Sequence, residues 1–597
     1  MCGISGFTGS NKKDLPNLEL QQDILESLKN RGPDAVGTWV QPDKKAVLLH
    51  RRLSIQDLSE NGAQPMSSPD GRLTIVFNGE IYNCDELRTW MPNYPFKGTS
   101  DTECILALYQ QFGSQMLRLL RGMYAFAIWD EKEQGLFLAR DPYGIKPLYI
   151  AQTADGFWFA SQVKSLLKVP HIDLSPSPAG HAGFFLWGSI PEPYTLYKGI
   201  RSLRSGHSLW LQSGREPEYR QFASISQSLA ETLPLPDDES AQQRLKHALH
   251  ESVRVHFLSD VPVAVFLSAG LDSSTILALS ADNFNPKTLN ALTLGFDAYR
   301  GTKHDEIREA ALIANHYGVS YETRMIGKAD FTSEANRFLQ AMDQPSIDGI
   351  NTYFVSRMAK EAGFKVALSG IGGDELFGGY GSFLEIPRAV NILGTIGISR
   401  RYGRVFRRLS ERALGLATSP KYAGLLEYGG TVDGAYLLRR ALFMPWELPR
   451  VLDPDLAVAG LEELEHDSFE ANELRAIAKF PLHLQVSYLE STRYMRNQLL
   501  RDADWAGMAH SVEIRTPLVD HFLLKQLSPL LSSGNPPTKL TMASTPNKPL
   551  FTEILHRKKT GFSVPVREWL ADSFPEKPER GLRSWAKFVY RYQWSGV

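Results

Sequence analysis

Apolar and polar positions follow different patterns in the two parts of the chain. In the first third, short apolar runs such as 73–77 and 124–129 stop at turn residues, for example Asn78-Gly79. One segment, 105–120, has the apolar spacing of a helix instead. Several strands with few helices predict an α+β layered domain in this part.

The pattern changes after 216–240, a segment rich in Ser, Pro and Asp. Beyond it, apolar runs alternate with helical stretches such as 241–258 and 306–317. The predicted strands are 261–267, 289–294, 320–326 and 365–369. Because this alternation is typical of βαβ units, we predict an α/β doubly wound parallel sheet with helical additions.

These changes of pattern divide the chain into four segments. We predict a first domain at 2–215, a linker at 216–240, a second domain at 241–575 and a C-terminal tail at 576–597. The tail is rich in Trp, Tyr and Phe, and we expect it to dock on a domain or on a partner surface.

Composition and charge exclude several classes of protein. The 597 residues include 65 basic and 66 acidic ones, so the net charge of −1 gives no overall reason to expect binding to nucleic acid or to a membrane surface. No apolar run reaches about 18 residues, the length of a membrane span. The three cysteines are too few for a disulfide framework, and the N-terminus lacks the apolar core of a signal peptide. We therefore expect a cytoplasmic protein.

Cys2 is the first candidate for catalysis. A small second residue permits removal of Met1, which places the thiol of Cys2 beside its own α-amine, whose unperturbed pKa is about 8. That amine can serve as the base for the thiol, so one residue supplies a nucleophile and its base. Taken alone, the position also fits a cysteine without a catalytic role.

A series of motifs follows in the same part of the chain. They are Met1-Cys2-Gly3-Ile4-Ser5-Gly6, Arg31-Gly32-Pro33-Asp34, His50-Arg51-Arg52-Leu53-Ser54-Ile55, Asn78-Gly79-Glu80-Ile81-Tyr82-Asn83, Gly98-Thr99-Ser100-Asp101 and Arg140-Asp141-Pro142-Tyr143-Gly144. In this order they resemble the glutaminase domain of class II glutamine amidotransferases, over roughly 2–215. The resemblance implies an N-terminal-nucleophile fold with Cys2 as the nucleophile, and oxyanion donors at Asn78 and Gly79. The implied glutamine-binding residues are Arg52, Ile55, Asn78, Gly79, Glu80 and Asp101.

The residue types suit these roles. Arg52 can pair with the α-carboxylate of glutamine through two hydrogen bonds. Asp101 suits the α-ammonium group, with Glu80 assisting. In isolation, Asn78-Gly79 also fits a hairpin turn and Arg52 a surface ion pair.

Two loops of the second part lie where a parallel sheet binds ligands. The first loop is Leu267-Ser268-Ala269-Gly270-Leu271-Asp272-Ser273-Ser274, which follows a predicted strand and begins a predicted helix. Backbone N–H groups at such a position favour phosphate, although serines there also suit a helix cap. Repeated glycines around two acids in 368–380 suggest backbone packed close to a ligand. Asp272 and Asp374 together suit Mg²⁺.

The first loop resembles the pyrophosphate loop of ATP pyrophosphatases. The motifs at 501–517 and 558–563 complete a pattern in which the chain as a whole resembles the glutamine-hydrolysing asparagine synthetases, over about 2–570. A homodimer is possible. In that family ammonia from glutamine attacks a β-aspartyl-AMP made from aspartate and ATP. The implied ATP-binding residues are Leu267, Ser268, Gly270, Asp272, Ser273, Ser274, Leu294, Ser369 and Gly370. The resemblance also implies Mg²⁺ at Asp272 and Asp374, and a catalytic lysine, Lys559, at the phosphates.

Two positions depart from the usual pattern of that family. Ile371 stands where relatives often carry glutamate, and Trp505 where many carry lysine or arginine. Both changes concern the acceptor carboxylate and leave the adenylation motifs intact. We expect aspartate as the acceptor. The alternatives are another carboxylate, such as a uronic acid of a surface polysaccharide or a natural-product acid, and a non-catalytic structural or regulatory protein of this fold. The basic stretch 388–412 fits a solvated helical face or a collar for an anionic acceptor.

Overall fold

The structure is a computed structural model that describes residues 2–9, 15–231, 240–396, 400–417, 419–557, 564–565, 569 and 579–595. Its N-terminal part contains two six-stranded sheets whose strands pair in antiparallel fashion, in the orders β10-β8-β9-β1-β3-β2 and β12-β11-β7-β6-β5-β4. The strands are β1 Gly3–Gly9, β2 Ala35–Val40, β3 Ala46–Arg52, β4 Met66–Ser67, β5 Leu73–Ile81, β6 Gly122–Asp130, β7 Gly135–Arg140, β8 Tyr149–Gln152, β9 Gly156–Ala160, β10 Ile200–Ser202, β11 His207–Gln212 and β12 Glu218–Gln221. The helices are α1 Leu18–Ser27, α2 Cys84–Thr89, α3 Asp101–Phe112, α4 Val163–Leu166 and α5 Pro178–Trp187.

The two sheets pack face to face, and helices cover their outer faces, so the predicted α+β layered fold is confirmed. On β5, Val76 joins Ile4 of β1 in the core between the sheets, whereas Ile75 and Phe77 face α3. Side chains alternate along a strand, so the same inward face continues from Val76 to Asn78. Cys2 lies two residues before Ile4 and therefore faces the same side of the sheet. The side chains of Cys2 and Asn78, the two candidate catalytic residues, thus meet at one end of the sandwich.

The range predicted as a linker, 216–240, begins with ordered structure. β12 pairs with β11 and extends the second sheet, and helix α6, Ile225–Ala230, follows it. Ser224 caps this helix by accepting a hydrogen bond from the N–H of Ser226. Residues 232–239 lie outside the described part of the chain.

The second part contains a five-stranded parallel sheet with the order β15-β14-β13-β16-β17, which confirms the predicted α/β fold. Its strands are β13 Val263–Phe266, β14 Asn290–Phe296, β15 Ser320–Ile326, β16 Val366–Leu368 and β17 Glu513–Arg515. The sequence pattern predicts the first four strands. It misses β17, because a strand of three residues is too short to show an alternating pattern.

Helices surround this sheet and extend beyond it. They are α7 Ala241–His256, α8 Leu271–Asn283, α9 Ile307–Tyr317, α10 Lys328–Ala341, α11 Ile350–Glu361, α12 Gly373–Phe377, α13 Ser382–Ile396, α14 Arg400–Ala417, α15 Leu425–Tyr428, α16 Val432–Arg440, α17 Pro454–Glu465, α18 Ser468–Ile477, α19 Leu482–Leu489, α20 Arg501–Ala509, α21 His521–Leu531, α22 Lys539–Ala543, α23 Thr552–Leu555 and α24 Arg583–Ser595. Across the described residues, none of these helices has the length and apolar character needed to cross a membrane.

The tail helix α24 docks on both parts of the same chain. Its Tyr590 hydroxyl lies 2.7 Å from Nδ1 of His181 on α5, in the first domain. Trp585 is buried with Phe338 of α10, in the second domain. Arg583 forms two hydrogen bonds of 2.8 Å with the Glu447 carboxylate. The aromatic residues of the tail therefore join the two domains to each other.

Candidate active sites

The first site is built around Cys2 and Asn78. The backbone N–H of Cys2 donates to Oδ1 of Asn78 at 3.0 Å. This contact orients the amide so that its Nδ2 is buried without a hydrogen-bond partner among the described residues. A buried N–H group held free beside a nucleophile is the donor that a tetrahedral oxyanion requires. Burial raises the pKa of the Cys2 thiol.

Gly79 is required by packing as well as by the proposed oxyanion. A Cβ atom at this position would lie 2.1 Å from the carbonyl oxygen of Met123 on the neighbouring strand β6. No side chain fits there without displacing the strand. The glycine therefore allows β5 and β6 to pair closely at the end that carries Asn78.

The other predicted glutamine-binding residues lie around this end of the sandwich. The Arg52 guanidinium is buried and donates to the backbone carbonyls of Asp57 and Ser59, which fix its position. Asp101 begins α3, accepts a hydrogen bond of 3.0 Å from the N–H of Ile81, and has its pKa raised to about 6 by burial. Ile55 is buried in an apolar cluster that also contains Leu53 and Tyr82.

Glu80 contacts the second domain. Its Oε1 lies 3.3 Å from the guanidinium of Arg515 on β17, and Arg515 also donates to Glu513 at 2.6 Å. All three side chains are buried. Burial opposes ionisation of Glu513, but the surrounding positive charges, Arg515 among them, lower its pKa to about 2. The carboxylate that we expected to assist glutamine binding is therefore also part of the domain interface.

A second buried ion pair joins the nucleophile to the other domain. The Nε of Arg31 donates to the backbone carbonyl of Cys2 at 3.1 Å. The two terminal nitrogens of Arg31 donate to the Asp504 carboxylate on α20 at 2.6 and 2.9 Å. The side chains of Arg31 and Asp504 are only 1% and 7% exposed. The position of Cys2 therefore depends on a residue far along the chain.

We predict that Asp504→Ala destabilises the protein and impairs glutamine hydrolysis together. Removing the carboxylate leaves the buried Arg31 charge unpaired, which costs about 3–5 kcal/mol in comparable pairs. Urea unfolding and a glutaminase assay measure the two effects. Glu463→Ala is a matched control, because the Arg201–Glu463 pair also joins the two domains but is 55% and 33% exposed. That variant loses less than about 1 kcal/mol. Equal stability of the two variants would contradict the prediction.

The second site begins at the loop between β13 and α8. The Ser273 hydroxyl donates to the carbonyl of Ser268 at 2.6 Å and accepts from its N–H at 3.1 Å, which closes the loop. Gly270 precedes the helix, and the Ser274 hydroxyl is buried without a partner among the described residues. The first turn of α8 can therefore offer N–H and hydroxyl donors to phosphate.

The remaining predicted nucleotide-binding residues lie at the same edge of the sheet. Leu267 and Leu294 are buried at the ends of the adjacent strands β13 and β14. Ser369 follows β16, and its N–H donates to the carbonyl of Arg515 at 2.8 Å. A Cβ atom on Gly370 would lie 3.0 Å from the backbone nitrogen of Ser273, so this glycine brings the two loops together.

Asp272 and Asp374 meet at one positive charge. The ammonium group of Lys539 lies 2.8 Å from Oδ1 of Asp374 and also contacts Oδ1 of Asp272. Two glycines leave room for these carboxylates: a Cβ atom on Gly373 would lie 2.3 Å from Asp272, and one on Gly379 would lie 1.8 Å from Asp374. Two carboxylates close enough to share one cation suit Mg²⁺, which takes few protein ligands when phosphates supply others.

The sequence alone does not identify Lys539 as a site residue. It is the first residue of α22, whose N-terminus is capped by Thr538. Burial opposes its charge, but the two carboxylates raise the pKa of Lys539 above its usual value. No short motif surrounds it, so only the fold connects it with the acids. The lysine that the resemblance implied, Lys559, lies outside the described residues. Among those residues, no cluster of three or more His, Cys, Asp or Glu side chains could hold a metal ion.

The two departures from the family pattern have different surroundings. Ile371 is partly buried against the core of the second domain. Trp505 is buried, and its ring lies beside Gly349, where a Cβ atom would approach to 2.7 Å. Its Nε1 donates to Asp502 at 2.7 Å. Trp505 therefore supports the loop that precedes α11, and Ile371 is the departure that lies within the glycine-rich loop itself.

An acid and a phenol lie next to Asp374. The Tyr380 hydroxyl donates to Glu375 at 2.8 Å, and burial raises the pKa of Glu375 to about 7. Arg440 lies over the Tyr380 ring at 4.5 Å and forms an ion pair of 2.7 Å with Glu490. An acid, a phenol and a guanidinium therefore contact one another at the end of the glycine-rich loop 368–380, which also contains Ile371.

Family models match both parts of the chain. The model of the glutamine amidotransferase domain matches residues 1–222, and the asparagine synthase model matches residues 244–587. The two models leave residues 223–243 between them unmatched, a segment that overlaps the predicted linker at 216–240.

Several relatives match nearly the whole length of this chain. Asparagine synthetase (glutamine-hydrolyzing) 1 of Bacillus subtilis is 31% identical, with 96% of this chain and 89% of that protein covered. A putative asparagine synthetase (glutamine-hydrolyzing) of Mycobacterium bovis is also 31% identical, with 96% and 88% covered. The amidase chyE of Penicillium rubens is 29% identical, with 93% and 85% covered.

Proposed function

The chain belongs to the glutamine-hydrolysing asparagine synthetase family, and from this premise we propose how its two sites share one reaction. At the first site, Cys2 hydrolyses glutamine to glutamate and ammonia. At the second, ATP adenylates the β-carboxylate of aspartate and pyrophosphate leaves. Ammonia then attacks the acyl carbon, AMP leaves, and asparagine is formed. We place this reaction in the cytoplasm.

The glutaminase step rests on the contact between Cys2 and Asn78. After removal of Met1, the α-amine of Cys2 takes the proton from its thiol, and the thiolate attacks the side-chain amide of glutamine. The amine returns that proton to the leaving nitrogen, the C–N bond breaks and ammonia departs. Water then hydrolyses the glutamyl thioester, which releases glutamate and restores the thiol. The unpartnered Nδ2 of Asn78 and the N–H of Gly79 then stabilise the oxyanion. Arg52 and Asp101 hold the two charged groups of the amino acid.

The observation that carries the synthetase step is the convergence of Asp272 and Asp374 on one cation, next to the Ser268–Ser273 loop. Both carboxylates would hold Mg²⁺, which when bound offsets the negative charge of the triphosphate and so favours departure of pyrophosphate. The loop and the first turn of α8 bind the phosphates through N–H and hydroxyl groups. Lys539 supplies a further positive charge at the same place.

Aspartate is the acceptor that the family membership supports, and Ile371 is the observation that favours a second candidate. An apolar side chain within the glycine-rich loop suits the wall of a pocket for a larger carboxylic acid, such as a uronic acid. Glu375 and Tyr380 lie beside Asp374 and can supply the polar contact that a glutamate at 371 would otherwise make.

We predict that aspartate stimulates AMP release when ammonia and ATP are supplied, with one asparagine formed for each AMP. The assay uses a panel of carboxylic acids that includes glutamate and uronic acids. Stimulation by a uronic acid, without stimulation by aspartate, would contradict this assignment.

Variants at position 371 locate the acceptor. Ile371→Glu changes the KM for the acceptor by at least about fivefold and leaves the KM for ATP within about twofold, because the change affects contacts to one substrate only. Ile371→Val is the matched control and changes neither constant. An effect confined to the KM for ATP would place residue 371 at the nucleotide instead.

A further inference from the structure

Helix α14 presents an apolar stripe to the outside of the molecule. Tyr402, Val405, Phe406 and Leu409 have the i, i+3, i+4, i+7 spacing of one helix side. Their exposed fractions are 76%, 55%, 43% and 81%. In a helix that packs its apolar side on a core, residues with this spacing are buried. Here they are left uncovered by the described part of the chain.

The side of α14 that does pack on the protein is polar. Arg407 is buried, donates to the Glu427 carboxylate at 2.6 Å, and lies over the ring of Trp446 at 4.2 Å. Gly403 allows the close approach, because a Cβ atom there would lie 2.5 Å from Cα of Glu427. The helix is therefore held in place through an ion pair, and its orientation keeps the apolar stripe outside.

A basic stripe runs beside the apolar one. Arg400, Arg401, Arg404 and Arg408 are all exposed. Arg404 pairs with Glu427, whereas Arg401 and Arg408 make no ion pair with the described residues. By the helical period, Arg401 and Arg408 flank Val405 on the side away from Phe406. The outer surface of α14 thus combines exposed aromatic and aliphatic groups with adjacent positive charge.

We propose that α14 is a membrane-surface anchor that binds anionic lipid. An amphipathic helix that lies in the plane of a membrane interface inserts its apolar side between the lipids and places its arginines among the headgroups. The exposed stripe of α14 supplies the first element and Arg401 and Arg408 the second. The nearly balanced charge of the whole chain conceals this local feature.

Charge complementarity favours a lipid surface over the other occupants. In a symmetric dimer through α14, the arginines of one copy would face those of the other across the same patch. A nucleic acid would satisfy the arginines but leave Tyr402, Val405 and Leu409 in water. An anionic membrane satisfies both stripes at once, because the acyl region takes the apolar groups and the headgroups take the positive charge.

Flotation of the full-length protein with vesicles tests this proposal. We expect binding to mixed phosphatidylcholine and phosphatidylglycerol vesicles, and at least about tenfold weaker binding to phosphatidylcholine alone. Salt at about 0.5 M, where the Debye length is below about 5 Å, weakens the binding. Val405→Asp combined with Leu409→Asp, and separately Arg401→Glu combined with Arg408→Glu, each lower it at least about tenfold.

The controls separate the stripe from general surface effects. Leu312→Asp combined with Val458→Asp changes two apolar residues that are each 51% exposed on other helices, and leaves vesicle binding unchanged. Retained glutaminase activity and retained ammonia-dependent AMP formation together show that both domains of each variant are folded, because α14 contributes no residue to either site.

Three results would overturn the proposal. The first is equal binding of the parent protein and both double variants to the mixed vesicles, or no binding by any of them. The second is a parent dimer, seen by sedimentation without lipid, that the Val405→Asp and Leu409→Asp changes dissociate. The third is tight binding of duplex DNA that only the arginine changes remove.

Discussion

The Cys2→Ala variant loses glutamine-dependent synthesis by more than about 10³-fold, and its ammonia-dependent synthesis stays within about twofold of the parent. The reason is the separation of the two chemistries. The thiol acts only on glutamine, at the end of the antiparallel sandwich, whereas Asp272 and Asp374 lie at the edge of the parallel sheet in the other domain. Cys2→Ser fails in the same way, because a hydroxyl ionises far less readily than a thiol.

Glutamate release and asparagine formation, with glutamine or ammonium as donor, measure this prediction. Cys104→Ala is the matched control, because Cys104 is a fully buried thiol of the same domain on α3 and has no proposed role in catalysis. Its activity remains close to that of the parent. Glutaminase activity in Cys2→Ala would contradict the assignment of the nucleophile, and so would an active protein whose mass retains Met1.

The alternation of side chains along strands makes the first site predictable from the sequence. Strand β5 places Val76 and Asn78 on its inner face, and Cys2 shares the parity of Ile4 on β1. The inward-facing side chains of these two strands therefore come together when the two sheets stack. The same logic places the Ser268–Ser274 loop and Asp374 at the carboxyl edge of a parallel sheet, where successive strand ends are neighbours.

What the sequence could not provide are the contacts between distant segments. Arg31 meets Asp504, and Asp272 meets Lys539, each across hundreds of residues of chain. No periodicity links such positions, and an isolated lysine at a helix start has no feature that marks it as functional. The sequence predicts Glu80 at the glutamine, and only the packing of the domains shows its contact with Arg515.

The helical additions show a different limit. In the stretch 388–412 the arginines alone suggest a solvated face or a collar for an anionic acceptor. The structure shows that Arg407 faces inward, while Tyr402 and Leu409 face outward. Amphipathic spacing identifies two sides of a helix but does not say which side packs on the protein. Here the buried acid Glu427 decides the orientation.

Replacing either carboxylate of the second site, in Asp272→Asn or Asp374→Asn, lowers AMP and pyrophosphate formation by more than about 10³-fold and leaves glutaminase activity intact. An amide keeps the size of the side chain but removes the charge that the site offers to a cation. Both residues contact Lys539, so each change also removes one of the two groups that hold that ammonium.

Quantification of nucleotides after incubation with ATP, acceptor and ammonium tests this second prediction. Asp282→Asn is the matched control. It lies near the far end of the same helix α8, where its carboxylate accepts a hydrogen bond of 2.7 Å from the N–H of Asn547, a contact that an amide oxygen preserves. That variant keeps the activity of the parent. ADP and phosphate as products of the parent protein would overturn adenylation. Full activity in Asp374→Asn would remove that residue from the site, because adenylation would then proceed without the negative charge that this carboxylate brings to the cation.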